Sequence, residues 1–186
     1  LNWALRGTDP VVYFESQKLY GIGEQFEKDG VPIGYYEIPE GEPAVRRQGK
    51  DITLISLGPT LYPVMQVAQE LHERFAMEAE VIDLRWINPL KYDTLVASLQ
   101  KTGKVVLVTD SAERGSYLHT VAANLTRLAF DYLDAPAVVV GSRNWITPPA
   151  EMEDYYFPHL DWILDAIHEQ IVPLPLYQPK SNFTDG

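Results

Sequence analysis

"KVVLVTDSAERGSYLHTVAANL", residues 104–125, decides the fold. Its first seven residues are mostly apolar and β-branched, which reads as a strand buried on both faces. Leu118, Val121, Ala122, Leu125 and, just beyond, Ala129 recur at helical spacing, which reads as a helix with one apolar face. A charged turn joins the two, holding Asp110, Glu113, Arg114, Gly115 and Ser116. A buried strand running straight into a helix is the repeating unit of an α/β sheet.

The same unit recurs on both sides. "DITLISLG" (51–58) is an apolar strand, and Thr60 is placed to cap the helix after it. Pro63 is tolerated in that helix's first turn. Leu61, Val64, Ala68, Leu71 and Phe75 fall on one face of it. "AEVIDL" (79–84) is the next strand. Asp93 is placed to cap a short helix over 94–101, which Gly103 ends. "APAVVVG" (135–141) is a further strand, and Leu160, Ile163, Leu164, Ile167 and Ile171 line a last helix. Alternating strands and helices imply an α/β sandwich around a mostly parallel sheet. Right-handed crossovers put helices on both faces. The strand in 104–110 is the most uniformly apolar and is expected at the sheet's centre.

The ends of the chain read differently. "LNWALRG" (1–7) looks like the last turns of a helix. "VVYFE" (11–15) reads as a strand following Asp9-Pro10. Residues 22–50 are punctuated by Gly and Pro and read as a linker, with one extended piece over 35–38. "PLPLYQPKSNFTDG" (173–186) is Pro-rich and polar, and reads as a fraying tail.

Composition narrows the function. The chain has 186 residues, enough for one ordinary domain with a short appendage. Hydrophobic residues at 46% and charged residues at 22% make it a folding sequence and not a disordered one. It has no cysteine, which removes disulfides, thiolate metal sites and thiol nucleophiles. That fits a cytoplasmic protein. A net charge of −11 repels phosphate backbones, so nucleic acid is not an expected partner. No apolar run approaches the roughly 20 residues of a membrane span. The first residues form no signal peptide. The helix-like start is read as the continuation of something longer.

The local chemistry is sparse. The turn with Asp110 and Ser116 lies where α/β sheets gather ligands, outside the carboxyl end of a strand. Helix N–H groups there could hold an anion. Against this, the turn has one Gly, and Asp110 and Glu113 would repel a phosphate. The plainer reading is that Ser116 caps the helix while Glu113 and Arg114 are solvated or meet an interface. Gly21-x-Gly23 lacks the third Gly of a dinucleotide fingerprint, since position 26 is Phe. His72, His119, His159 and His168 are not paired at a metal-binding spacing, and His72 reads as a dipole partner near a helix C-terminus. The aromatic residues Trp145, Tyr155, Tyr156, Phe157 and Trp162 serve equally as cover for the sheet edge or as an interface. No catalytic, cofactor-binding or metal residue is assigned. Asp110, Glu113, Arg114, Ser116, Tyr117, Trp145, Tyr155 and Tyr156 are the interface candidates.

Four stretches together carry a family resemblance: "DPVVYFESQKLYG", "VPIGYYEIPEGEPAVRRQGKDITLISLG", "EVIDLRWINPLKYDTLVASLQKTGKVVLV" and "AFDYLDAPAVVVGSRNWITPP". The chain resembles the beta part of the thiamine-diphosphate-dependent first component of 2-oxo acid dehydrogenase complexes. The likeness runs from Asp9 to about Leu174. "DSAERGSY" departs from the commoner His-Glu-Ala and Gly-Gly form, and looks more like bacterial versions with alpha and beta parts fused. The resemblance implies a transketolase C-terminal-like domain over 51–174: a three-layer α/β/α sandwich of about five strands, one of them antiparallel. Residues 1–21 would end the preceding pyrimidine-binding domain, 22–50 would be linker and 175–186 tail. It implies thiamine diphosphate and magnesium in the full enzyme, and neither held by this part. It also implies a homodimer or alpha/beta assembly and a lipoyl acyltransferase partner. In such an enzyme the thiazolium ylid attacks a 2-oxo acid, carbon dioxide leaves and the acyl group passes to lipoamide. The alternatives are a non-catalytic interaction module and an anion- or nucleotide-binding α/β domain.

Overall fold

The computed structural model describes residues 1–23, 25–26 and 30–181. Among these, one sheet is built from β1 (Ala44–Arg47), β2 (Ile52–Ser56), β3 (Ala79–Asp83), β4 (Val105–Ala112) and β5 (Val138–Ser142). The spatial order is β1-β3-β2-β4-β5. β2 pairs in parallel with β3 and β4, β4 with β5, and β1 runs antiparallel to β3. The helices are α1 (Asn2–Arg6), α2 (Leu61–Phe75), α3 (Asp93–Thr102), α4 (Tyr117–Ala129) and α5 (Leu160–Gln170).

The layers follow from strand alternation. Ile52, Leu54, Val81, Val106, Val108 and Val140 pack on α2 and α5. Ile55, Ile82, Val105, Leu107 and Val139 pack on α3 and α4. The three-layer α/β/α architecture, with its single antiparallel strand, is the one that the family resemblance implies. Each buried Leu, Ile or Val on these faces stabilises the fold by about 1.5–3 kcal/mol relative to exposure. On α4 the buried residues are Leu118, Val121, Ala122, Leu125 and Ala129, the face read from the spacing. Gly103 closes α3 at φ 66, where its N–H donates to Leu99 O at 2.9 Å.

Several expectations need correction. The middle strand is β2, with β4 one place nearer the edge. A uniformly apolar run reports burial on both faces, which every interior strand shares. The antiparallel strand comes from 44–47, inside the stretch read as linker. Its charged Arg46 and Arg47 hid it. They reach Asp83 at 3.1 Å and Glu78 at 2.8 Å. Gly49 lets this entry run tight, since a Cβ there would fall 2.2 Å from the Ala79 backbone. Residues 11–15 form no strand, because no neighbouring strand supplies a ladder. Asp93 lies within α3, and Tyr92 takes the position before it. Thr60 precedes α2 without capping it. Its hydroxyl donates toward Leu57 O and Val108 O at 3.0 and 2.9 Å, which ties α2 to β4.

The tail does not fray over its described length. Buried Asp165 accepts hydrogen bonds from Tyr177 Oη at 2.6 Å and Ser181 N at 2.7 Å. Lys180 Nζ reaches Asp161 at 3.0 Å. Residues 182–186 of the expected tail, and Glu24 in the Gly-x-Gly stretch, lie outside the described residues.

Candidate functional site

The chain leaves β2 toward β3 on one side and reaches β4 and β5 on the other. The reversal point therefore lies between the carboxyl ends of β2 and β4, where open α/β sheets form their crevice. Residues 110–116 stand there.

Asp110 keeps an exposed edge, yet protein packed around the carboxyl raises its pKa. Its own backbone N–H and, more weakly, Lys18 oppose that rise. Glu113 N donates to Ser142 O at 3.0 Å, and Arg114 N to Asn144 Oδ1 at 2.9 Å. Gly141 permits this closeness, because a Cβ on it would meet Glu113 Cα at 2.6 Å. Gly115 turns the chain at φ 73. Ser116 then occupies the position before α4 in extended conformation, but its hydroxyl does not cap the helix. It pairs with His119 Nδ1 at 3.2 Å, so the expectation of a side-chain cap is corrected. Tyr117 Oη donates to Ile87 O at 2.5 Å. Burial raises its pKa, with Tyr92 adding to the effect.

The aromatic candidates divide. Tyr156 is 5% exposed and packs edge-on against Phe157 at 4.9 Å. Its carbonyl accepts the N–H of Arg143 at 3.0 Å. Trp145 and Tyr155 are 55% and 68% exposed. Between these groups the Arg143 guanidinium lies 4.3 Å from the Trp162 ring and 5.7 Å from Trp145. The structure therefore brings Glu113 and Arg114 against the 142–144 segment, and leaves Trp145 and Tyr155 facing outward beside them.

Sequence reasoning missed two members of this edge. Arg143 was hidden by its place between a strand and a turn. Lys18, from a short 3-10 turn at Gln17–Leu19, pairs with Glu153 at 2.6 Å and lies 4.3 Å over the Phe157 ring. Only its single positive charge before an acidic segment hinted at that. At the other end of the crevice Asp83 is buried, and burial lifts its carboxyl above the usual range despite Arg46 and Arg85.

Chemically this edge is a set of structural hydrogen bonds and ion pairs. Asp110 and Glu113 stand where a diphosphate would approach. Among the described residues no group of three or more His, Asp or Glu side chains gathers to hold a metal ion. Two neighbouring carboxyls repel a diphosphate. No helix among the described residues is long and apolar enough to cross a membrane.

A mixed sheet with one antiparallel edge, sandwiched by α2 and α5 on one face and α3 and α4 on the other, defines a transketolase-type C-terminal domain. The chain belongs to that family: residues 41–163 match the transketolase C-terminal domain. It is similar to proteins named pyruvate dehydrogenase E1 component subunit beta. The one from Staphylococcus epidermidis is 37% identical over 162 residues, covering 87% of this chain and 48% of that protein. The one from Staphylococcus aureus is 34% identical over 168 residues, covering 90% and 50%. The chain thus spans about half the length of these relatives. Among solved structures it resembles a split-gene transketolase, described as an inactive beta4 tetramer. The TM-score is 0.53 at 24% identity, over 68% of this chain and 41% of that one, a likeness of fold.

Proposed function

We propose that this chain is the C-terminal part of the beta portion of a thiamine-diphosphate-dependent 2-oxo acid dehydrogenase. It acts as the scaffold of that enzyme in the cytoplasm. The observation that carries the reading is the match to E1 beta subunits across about half of their length. In this reading thiamine diphosphate and magnesium are held by other parts of the enzyme. Residues 1–21 complete the preceding pyrimidine-binding domain. Val12 and Phe14 in that segment are 77% and 76% exposed, as expected of a surface meant for other polypeptide. The sandwich braces a homodimer or an alpha/beta assembly through Arg114, Trp145 and Tyr155. A net charge of −11 suits docking of a basic segment from the lipoyl acyltransferase, steered by charge.

The test is carbon dioxide release from pyruvate and from branched 2-oxo acids, with thiamine diphosphate and magnesium supplied. The chain alone is expected to be inactive. The polypeptide extended upstream in its own reading frame, assembled with the alpha part of the enzyme, is expected to turn over. Turnover by the chain alone, or no coding sequence upstream, contradicts the reading. Binding of the acyltransferase's docking segment is expected to weaken steeply with salt, and salt-independent binding would count against the electrostatic role.

A further inference from the structure

We propose that residues 174–181 form a strap that acid unlatches from α5 through His168. Two residues one helical turn apart hold it. Asp165 is fully buried and accepts from Tyr177 Oη at 2.6 Å, from Lys180 N at 3.1 and 3.2 Å and from Ser181 N at 2.7 Å, besides Ser181 Oγ. These donors on one buried carboxylate fix the far end of the strap. His168 does the opposite: its Nδ1 accepts the N–H of Leu174 at 2.8 Å. The ring must be neutral, with its proton on Nε2, to do so. Between these anchors Leu174 and Tyr177 are buried in the core cluster shared by α2 and α5. The Tyr177 ring lies 5.4 Å from His168 and 6.1 Å from Phe75.

The charged groups around the latch are Asp161, Asp165 and Glu169 on α5, Lys180 on the strap, and Arg74 on α2, itself paired with Glu70. Asp165 is occupied by strap donors, and Asp161 by Lys180. Histidine is the ordinary side chain that changes charge between about pH 5 and 8. Once protonated, both ring nitrogens are donors, so no ring flip restores an acceptor for Leu174 N–H. That part-buried amide then faces a donor, which is costly. The strap opens at Leu174 first while the Asp165 end still holds. Opening bares the apolar strip along Phe75 between α2 and α5.

The test follows the Leu174 amide of the full chain by hydrogen exchange, corrected for the intrinsic pH dependence, at about pH 7.5 and about pH 5.5. Protection is expected to fall at least about tenfold in acid, as for a local opening. In His168→Gln the amide oxygen still accepts but does not titrate, so protection is expected to be equal at both pH values. Equal protection in the unmodified chain, or the same acid loss in His168→Gln, overturns the proposal. Should the variant fail to fold, the unmodified chain decides. The His168 ring nitrogen shifts and the Leu174 amide shift are expected to titrate with one midpoint, and two separate midpoints overturn it.

Discussion

Residues 11–14 and 138–140 are written alike, Val-Val-Tyr-Phe and Val-Val-Val, and end differently. Val138, Val139 and Val140 are buried in β5, with β4 pairing along one side and helices on both faces. Val11, Val12, Tyr13 and Phe14 carry the same β-favouring residue types and stand exposed without a ladder. Local preference is satisfied in both stretches. The neighbour is what differs. A strand is a relation between two chains of backbone, and residues 11–14 lack the other member within the described chain.

This contrast can be broken or sharpened by mutation. The largest effect is expected from Leu54→Ala, which removes a fully buried side chain from the middle strand. It should cost about 3 kcal/mol in chemical denaturation, whereas Phe14→Ala should cost under about 0.5 kcal/mol. Equal costs would erase the distinction between the two regions. Next comes Asp165→Ala, which strands the donors of the strap. About 2 kcal/mol is expected, less than the full burial penalty because the freed segment can reach water. A loss near zero would mean that the segment contributes no stability.

The order of strands shows what was legible in the sequence and what was not. The faces of α2 and α4 were readable because a 3.6-residue repeat of apolar side chains survives any choice of neighbours, whereas α5 buries six consecutive residues, Trp162 to Ile167. The parallel pairing of β2 through β5 followed from the intervening helices. β1 was not readable. Four residues ending in two arginines carry no alternation, and the pairing exists only because Asp83 and Glu78 wait across the sheet edge. The site was less legible still. Ser116 has the residue type and position of a cap, but His119 competes successfully for its hydroxyl. Lys18 lies far in sequence from Glu153 and Phe157, and no short-range rule joins them. The latching of residues 174–181 depended on one buried carboxylate that a helical repeat reads as a polar interruption.

Two smaller effects test the strand-end edge. Burial raises the carboxyl of Asp110, so its ionised form is penalised in the folded state. The stability this group contributes is full below the ordinary aspartate range and is lost as pH rises through its raised value. Asp110→Asn is therefore expected to gain about 0.5 kcal/mol near neutral pH after solvent screening, and nothing in strong acid. Thermal melts across pH check this, and a gain that persists in acid would contradict it. The smallest effect on folding is expected from Arg114→Ala. Its backbone N–H, not its side chain, makes the contact with Asn144, so unfolding should shift by under about 0.3 kcal/mol. The same change should weaken dimerisation of the extended enzyme. An unaltered dimer affinity would remove Arg114 from the interface.

Amide exchange at residues 11–14 probes the account most directly, measured once on this chain and once on the polypeptide extended upstream. Free exchange in the first and strong protection in the second is the expected result. Protection already present in the first, or none gained in the second, would mean that these residues are not an unfinished edge awaiting the rest of an enzyme.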